Sequence, residues 1–297
     1  MARLIAAPWS WCFGNHHDYG AAVRLAVTAH FAGDHALVLG DCALGLRGSL
    51  ASLYEVAMQK FANPALFLKL ANAVLPYLVA ITAALFAVGL YGALITSPAD
   101  YQQGETVRIM YIHVPASWIS MFAYGFMAFF SAVALIFRHP LADAAAKTAA
   151  PIGAVFCFLA LATGSIWGKP MWGTWWVWDA RLTSMFILML LYLGYIAIWQ
   201  AIEEPFLAAT IARIVALVGS IILTIIKFSV DWWNTLHQPA SVFKMGGSTI
   251  DRSMLWVLLV MALAYTALFL TLHLISMRTE IATRKLRQMR LSEIRGN

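Results

Sequence analysis

The sequence predicts an all-α membrane protein, a six-transmembrane helical bundle with a tryptophan-rich loop on the outer side. This loop, residues 168–181, is called the tryptophan loop. Of its 297 residues, 62% are apolar and only 11% are charged, which is far from the balance of a soluble domain. The apolar residues form six continuous runs, and a bilayer core of about 30 Å takes roughly 20 residues per helix. A β-barrel would instead show short segments of alternating polarity. A bundle of membrane-spanning helices is therefore the predicted fold class.

The six predicted spans follow one another along the chain, each recognisable from its flanks. The first follows a short polar lead and an amphipathic stretch, and the second follows MYIHVPASW. The third is the shortest, and the fourth follows the tryptophan loop. The fifth precedes DWWNTLHQPAS, and the sixth leads into a basic tail. Their expected ranges are 72–95, 116–137, 151–167, 182–200, 212–230 and 253–276.

The sidedness of the bundle follows from its Lys and Arg residues. If spans alternate, the amino-terminal flank, the connections 138–150 and 201–211 and the tail share one side and carry eleven of these cations. The other three loops, at 96–115, 168–181 and 231–252, carry five. Because the cation-rich side faces the cytoplasm, both termini are predicted to be cytoplasmic and the tryptophan loop to be outside. Lys227, near the outer end of span five, is interpreted as a snorkelling lysine or as a functional charge.

The net charge of +6 does not indicate a nucleic-acid partner. The largest basic cluster directly follows the last span, which is typical of a cytoplasmic anchor beside membrane lipid. Three cysteines without a CxxC spacing indicate neither a disulfide framework nor a zinc site. The cluster consists of Arg278, Arg284, Lys285, Arg287, Arg290 and Arg295.

Residues 1–57 do not fit the plan of the other residues. This leader has too many polar groups for a span, and it lacks the pattern of a signal peptide. At Met58 the sequence changes to a polar lead followed by an amphipathic stretch. We therefore expect two parts, a leader (1–57) and a six-span membrane domain (58–297). A start codon placed too far upstream, with Met58 as the true start, is the favoured explanation, and a small cytoplasmic appendage is the alternative.

Two histidines are left on the outer side once the topology is assigned. His113 lies just before span two and His237 just after span five, with the tryptophan loop between them in sequence. The other six lie in the leader or at cytoplasmic span ends: His16, His17, His30, His35, His139 and His273. Taken alone, His113 and His237 are each typical of a surface histidine, but together with the aromatic loop they indicate a shared site.

A flat, apolar ligand with a central metal would suit this combination. Neutral imidazole is a good ligand of haem iron, which takes one axial ligand on each face. The loop supplies the aromatic surface, and a helical loop would place Trp172, Trp175, Trp176 and Asp179 on one face. An interfacial aromatic belt is the alternative explanation, but a belt is spread over all loops. In this chain Trp167, Trp172, Trp175, Trp176 and Trp178 crowd into one.

The outer cations are candidate partners for the two haem propionates. Arginine suits a carboxylate best, because its planar guanidinium can donate two parallel hydrogen bonds. One sequence does not select among the candidates Arg181, Arg108, Arg252, Lys169 and Lys244.

Three motifs carry a resemblance to a known family. The run GKPMWGTWWVWDARLTS (168–184) resembles the WWD signature of the haem-handling proteins of cytochrome c biogenesis. Together with YIHVPASW, WWNTLHQ and six spans, it makes residues 58–297 similar to the haem exporter protein C family of the bacterial cytochrome c maturation system. The leader 1–57 departs from the family pattern.

The resemblance implies a haem transport or chaperone component of the bacterial inner membrane rather than an enzyme. It implies that haem b is held at the periplasmic face, with its iron between His113 and His237 and the signature loop along the porphyrin. The implied partners are ABC transporter subunits, a small single-span subunit and a membrane-anchored haem chaperone that receives the haem. Whether the chain assists covalent attachment of haem to that chaperone is left open.

Functions of other classes are less compatible with the sequence. A two-haem cytochrome b would need histidine pairs within its spans, and no predicted span has a histidine in its middle. A secondary transporter would show repeat symmetry and broken helices around a midplane site, and the two halves of this chain do not resemble each other. A structural subunit of a membrane transporter complex, without its own haem site, remains the alternative.

Overall fold

The computed structural model describes residues 63–238, 241–242 and 246–296. The leader 1–57 and the expected start at Met58 lie outside this part of the chain. The predicted all-α fold is confirmed: the described residues form helices and no strand, and six segments are long and apolar enough to cross a membrane. The helices are α1 (Pro64–Tyr91), α2 (Met110–Phe137), α3 (Pro140–Trp172), α4 (Ala180–Ala201), α5 (Pro205–Gly219), α6 (Ile221–Trp232) and α7 (Arg252–Gly296).

Helix α2 packs mainly against α3, and α1 packs mainly against α7. Since the six spans alternate in direction, residues 92–109, 173–179, 233–238 and 246–251 share one end of the bundle, which we call the tryptophan end. A π-helical turn (Gly92–Thr96) and a 3₁₀ turn (Glu105–Ile109) lie at this end.

Helix α3 begins earlier than the predicted third span, which was expected to start at 151. His139 caps the helix by accepting the N–H of Ala142 at 3.1 Å, and the helix continues through Pro151. Its first turns contain Asp143 and Lys147, whose charges are compensated by distant residues. Asp143 pairs with Arg213 at 3.1 Å and Arg284 at 3.3 Å, and Lys147 pairs with Glu280 at 2.9 Å. These ion pairs join α3, α5 and α7 at the end opposite the tryptophans.

The fifth predicted span is two helices rather than one. The break lies at Ser220, between α5 and α6, where the Ser220 hydroxyl donates to the Leu217 carbonyl at 2.7 Å. Glycine and serine are weak helix formers, and such a side-chain hydrogen bond competes with the helical ladder. The bulky Tyr124 of α2 packs against this point: a Cβ on Gly219 would lie 2.1 Å from its hydroxyl oxygen. Only glycine therefore allows this close approach of α2 and α5.

Residues 173–179 of the tryptophan loop are not helical, so the condition under which Trp172, Trp175, Trp176 and Asp179 would share one helical face is not met. Trp172 is the last residue of α3, and Gly173 adopts a left-handed conformation (φ 76°) that ends it. Asp179 is the N-cap of α4 and accepts the Leu182 N–H at 2.8 Å. Residues 173–179 therefore form an irregular link between α3 and α4. The left-handed Gly173 ends α3 and the Asp179 cap begins α4, and both residue types are common at such helix ends.

Candidate functional site

A cavity of about 1280 Å³ opens at the tryptophan end of the bundle. It exceeds the roughly 300–1,000 Å³ of ordinary small-molecule sites. Its wall includes both histidines selected from the sequence, His113 and His237, and side chains from α2, α3, α4, α6 and α7. Farther from the tryptophan end, the cavity is lined by apolar residues that include Met121, Met185 and Leu258. The cavity is large enough for a sizeable, mostly apolar ligand.

His113 lies in the first turn of α2, and α3 fixes its ring. Its Nδ1 lies 3.0 Å from the Ala160 carbonyl oxygen and 3.2 Å from the Thr163 hydroxyl. A carbonyl oxygen only accepts, so Nδ1 carries the proton and Nε2 keeps its lone pair. Gly164 makes room for the ring, because a Cβ there would lie 2.8 Å from the His113 Cε1. His113 is thus held as an imidazole whose Nε2 is available as a metal ligand.

His237 lies in the connection between α6 and α7, and the Asp179 carboxylate orients it. Its Nδ1 is 3.5 Å from Oδ2 of Asp179, close enough for an electrostatic contact but without a hydrogen bond among the described residues. Its backbone N–H donates to the Thr235 hydroxyl at 3.0 Å. The Thr235 hydroxyl in turn donates to the same Asp179 oxygen. A carboxylate beside Nδ1 favours a proton on that nitrogen, which again leaves Nε2 as the free lone pair.

The charge states of His237 and Asp179 suit metal binding near neutral pH. Burial lowers the pKa of His237; Asp179 opposes this shift and Arg181 adds to it. Burial acts to raise the pKa of Asp179, but hydrogen bonds from Thr235 and Leu182 and the neighbouring His237 bring it below its usual value. At pH 7 the imidazole is therefore neutral and the carboxylate ionised.

The tryptophans of this region divide into two groups. Trp172 and Trp176 line the cavity, and the Trp172 ring lies 4.9 Å from the His237 ring, centroid to centroid. Trp175 and Trp178 are off the wall and remain 56% and 74% exposed. Trp167, one helical turn before the loop, also lines the cavity and makes an edge contact with His113 at 5.8 Å. Each histidine thus touches one tryptophan of α3.

Only one of the three arginines selected from the sequence lies on the cavity wall. Arg181 lines the cavity and donates to the Ile226 carbonyl at 3.3 Å. Arg108 is off the wall, where its guanidinium bonds Glu105 and the Ala93 carbonyl, each at 2.5 Å. Arg252, the exposed first residue of α7, is also off the wall. Of the two lysines, Lys169 bonds the Gly173 carbonyl at 2.9 Å, and Lys244 lies outside the described residues.

Two site residues had no clear signal in the sequence, Ala160, whose carbonyl contacts His113, and Gly164, both on α3. Trp167 and Lys227 were noted in the sequence, the first in the tryptophan cluster and the second as a snorkelling lysine or a functional charge, and both line the cavity. Extending the third span to Gly173, a common C-terminal helix residue, would have placed Gly164, Trp167 and Trp172 on one helix. The contact of Asp179 with His237 joins residues far apart in sequence.

Comparison with known proteins gives consistent matches. A sequence model of the family described as Heme exporter protein C matches residues 57–292. The chain is 60% identical over 232 residues to Heme exporter protein C of Bradyrhizobium diazoefficiens, with 78% of this chain and 88% of the relative covered. It is 43% identical over 242 residues to that of Paracoccus denitrificans, covering 81% and 100%. It is 44% identical over 220 residues to that of Escherichia coli K12, covering 74% and 89%.

Proposed function

The chain belongs to the Heme exporter protein C family, and on this premise we propose that it binds haem b in the cavity between His113 and His237 and presents it to a membrane-anchored haem chaperone for cytochrome c biogenesis. The observation that carries the proposal is the pair of histidines on one cavity. Nδ1 of His113 is hydrogen-bonded to the Ala160 carbonyl and Nδ1 of His237 lies 3.5 Å from the Asp179 carboxylate, so in each ring Nε2 is the nitrogen that is left to ligate a metal. Such a pair is suited to ligate the two faces of one haem iron.

The cavity wall supports haem as the cargo on two further grounds. Trp167, Trp172 and Trp176 give a flat aromatic surface, and the methionine and leucine side chains of the same wall accept the apolar part of a porphyrin. Haem iron, when bound, supplies the two axial positions, and the chain supplies imidazoles held in the ligating tautomer. The role of this chain is thus to bind, orient and release, and no catalytic residue is proposed.

We further propose that the tryptophan end faces the periplasm of a bacterial inner membrane and that both termini are cytoplasmic. The excess of Lys and Arg on the other side supports this orientation. The proposed partners are ABC transporter subunits, a small single-span subunit and the haem chaperone. The relatives' name, Heme exporter protein C, is consistent with such an export complex.

Haem titration of the purified full-length protein tests the proposal. We expect saturable binding of a single haem with the absorption spectrum of a low-spin, six-coordinate iron. Non-saturable uptake into the detergent, with no defined spectrum, would instead support a structural subunit without its own haem site.

Asp179→Asn is expected to weaken haem binding about 10–100-fold without unfolding the protein, which is the usual effect of losing the outer partner of a ligating histidine. Asparagine still caps α4, because its carbonyl oxygen accepts the Leu182 N–H. Its NH₂ group, however, donates toward His237 Nδ1 and so favours the tautomer with the proton on Nε2, which does not bind iron. Absorbance titration measures the loss, and circular dichroism checks the helix content.

The pH dependence separates this tautomer effect from protonation. Asp179 acts to raise the pKa of His237, so its replacement keeps the imidazole neutral to a lower pH. The weakening in Asp179→Asn should therefore be the same at pH 7 and pH 8. A weakening that disappears at pH 8 would contradict the tautomer argument.

A further inference from the structure

Lys227 is an unpaired charge on the cavity wall. It lies on α6, five residues before Trp232 and hence about 7.5 Å inside the end of the helix at 1.5 Å per residue. Among residues 63–238, 241–242 and 246–296, its ammonium has neither a hydrogen-bond partner nor a carboxylate within 4.0 Å. By contrast, Lys147, Arg213 and Arg284, near the other end of the bundle, are all in ion pairs.

A charge within a membrane-spanning helix is costly unless it meets water or an opposite charge. Lys227 lines the cavity, so its ammonium can reach whatever the cavity holds. The cavity also has acidic groups on its wall, Asp100, Asp231 and Asp251. None of these three carboxylates lies within 4.0 Å of the Lys227 ammonium. Within the part of the chain that the structure describes, Lys227 is therefore a wall cation without a protein counter-ion.

Among the described residues, Lys227 and Arg181 are the two cations, one on α6 and one on α4, that line the cavity. Arg181 donates to the carbonyl of Ile226 on α6, so both helices bring a positive charge to the same largely apolar wall. A wall of this kind fits a ligand that is apolar over most of its area and carries carboxylates at one edge.

We propose that Lys227 binds a propionate of the porphyrin and, with Arg181, makes the site selective for porphyrins with free carboxylates. This inference rests on the proposed function, because it takes haem as the occupant of the cavity. The two histidines hold the iron along one axis and do not fix the rotation of the ring about that axis. A wall cation that pairs with a propionate fixes this rotation, so Lys227 positions the cargo as well as strengthening its binding.

The test compares haem with haem dimethyl ester, in which both propionates are esterified and the iron is unchanged. The purified full-length protein, Lys227→Gln and Lys227→Arg are titrated with each probe by absorbance. We expect Lys227→Gln to weaken binding of haem about tenfold or more and to leave binding of the ester unchanged. Lys227→Arg should restore binding of haem, and the six-coordinate spectrum should be the same in all three proteins.

Arg252→Gln is the matched control, because it removes a cation at the same end of the bundle but off the cavity wall. It should bind both probes as the unsubstituted protein does. Equal weakening of both probes in Lys227→Gln would overturn the proposal and assign Lys227 a structural role. A lower yield of inserted protein with unchanged binding of haem would assign it to snorkelling at the lipid surface.

The same titrations separate this inference from the proposed function. If the unsubstituted protein binds neither haem nor its ester, the haem site itself is wrong and the role of Lys227 falls with it. If it binds both and Lys227→Gln changes neither affinity, only the role of Lys227 is wrong. A weakening in Lys227→Gln that appears only in vesicles with anionic phospholipid would assign its charge to lipid phosphate, which also overturns the proposal.

Discussion

His113→Ala and His237→Ala are each expected to change bound haem from six-coordinate, low-spin iron to five-coordinate, high-spin iron and to weaken its binding at least about 100-fold. Loss of the outer partner of a ligating histidine already costs 10–100-fold, and loss of the ligand itself should cost more. The absorption spectrum and a haem titration of each purified protein measure the two effects. Transfer of haem to the chaperone should fall in parallel.

Added imidazole gives a stringent check of this result. A free imidazole molecule fits the space that the side chain leaves in His113→Ala or His237→Ala and should restore the six-coordinate spectrum. If both substituted proteins kept the six-coordinate spectrum without added imidazole, ligation by these two histidines would be wrong.

The structure also selects the control histidine. His139 caps α3 through its Nδ1, and asparagine is an equally good cap. His139→Asn should therefore leave the fold and the haem spectrum unchanged. His273 is a poor control, although the sequence places it at a span end. Its ring is buried and stacks on Phe269 at 5.7 Å, so His273→Ala would leave a void and destabilise the packing of α7.

The six spans were predictable because membrane-spanning helices are continuous apolar runs, and such runs are a property of local sequence. The first turns of α3, residues 140–150, were not predictable in this way. Asp143 and Lys147 read as a polar connection, yet Arg213, Arg284 and Glu280 compensate their charges inside the bundle. These partners lie between 70 and 141 residues away along the chain, and no local pattern reveals an ion pair of that kind.

The candidate site was predicted as a set of residues but not as an arrangement. Topology alone brought His113, His237 and the tryptophan loop to one end of the bundle. The orientation of each imidazole depends on partners that the sequence does not single out, the Ala160 carbonyl and the Asp179 carboxylate. The same limit applies to the cations: five candidates were compatible with the sequence, and of the four that the structure describes only Arg181 lines the cavity, together with Lys227.

The two pairs of loop tryptophans are expected to respond in opposite ways to substitution. Replacing Trp172 and Trp176 together with Ala should weaken haem binding roughly 30-fold or more. A buried aromatic contact is worth on the order of 1 kcal/mol beyond its area, and about 1.4 kcal/mol is a factor of ten in affinity. Phenylalanine at either position keeps most of the surface and should cost little.

Trp175 and Trp178 give the matched control, since they belong to the same loop but lie off the cavity wall. Replacing both with Ala removes the same number of indole rings and should leave the affinity for haem nearly unchanged. Because both are largely exposed, they are the tryptophans of this loop that suit an interfacial role, and their loss should lower the amount of inserted protein instead.

The measurement that decides is haem bound per molecule of inserted protein, with the two double substitutions compared side by side. Trp172 and Trp176 line the cavity, so under the proposed function this ratio should fall for that pair and stay constant for Trp175 and Trp178. An interfacial belt predicts that both pairs lower insertion and that the ratio is constant for both. A constant ratio in the Trp172 and Trp176 double substitution would therefore exclude the tryptophan surface as part of the haem site, even if the histidine ligands were confirmed.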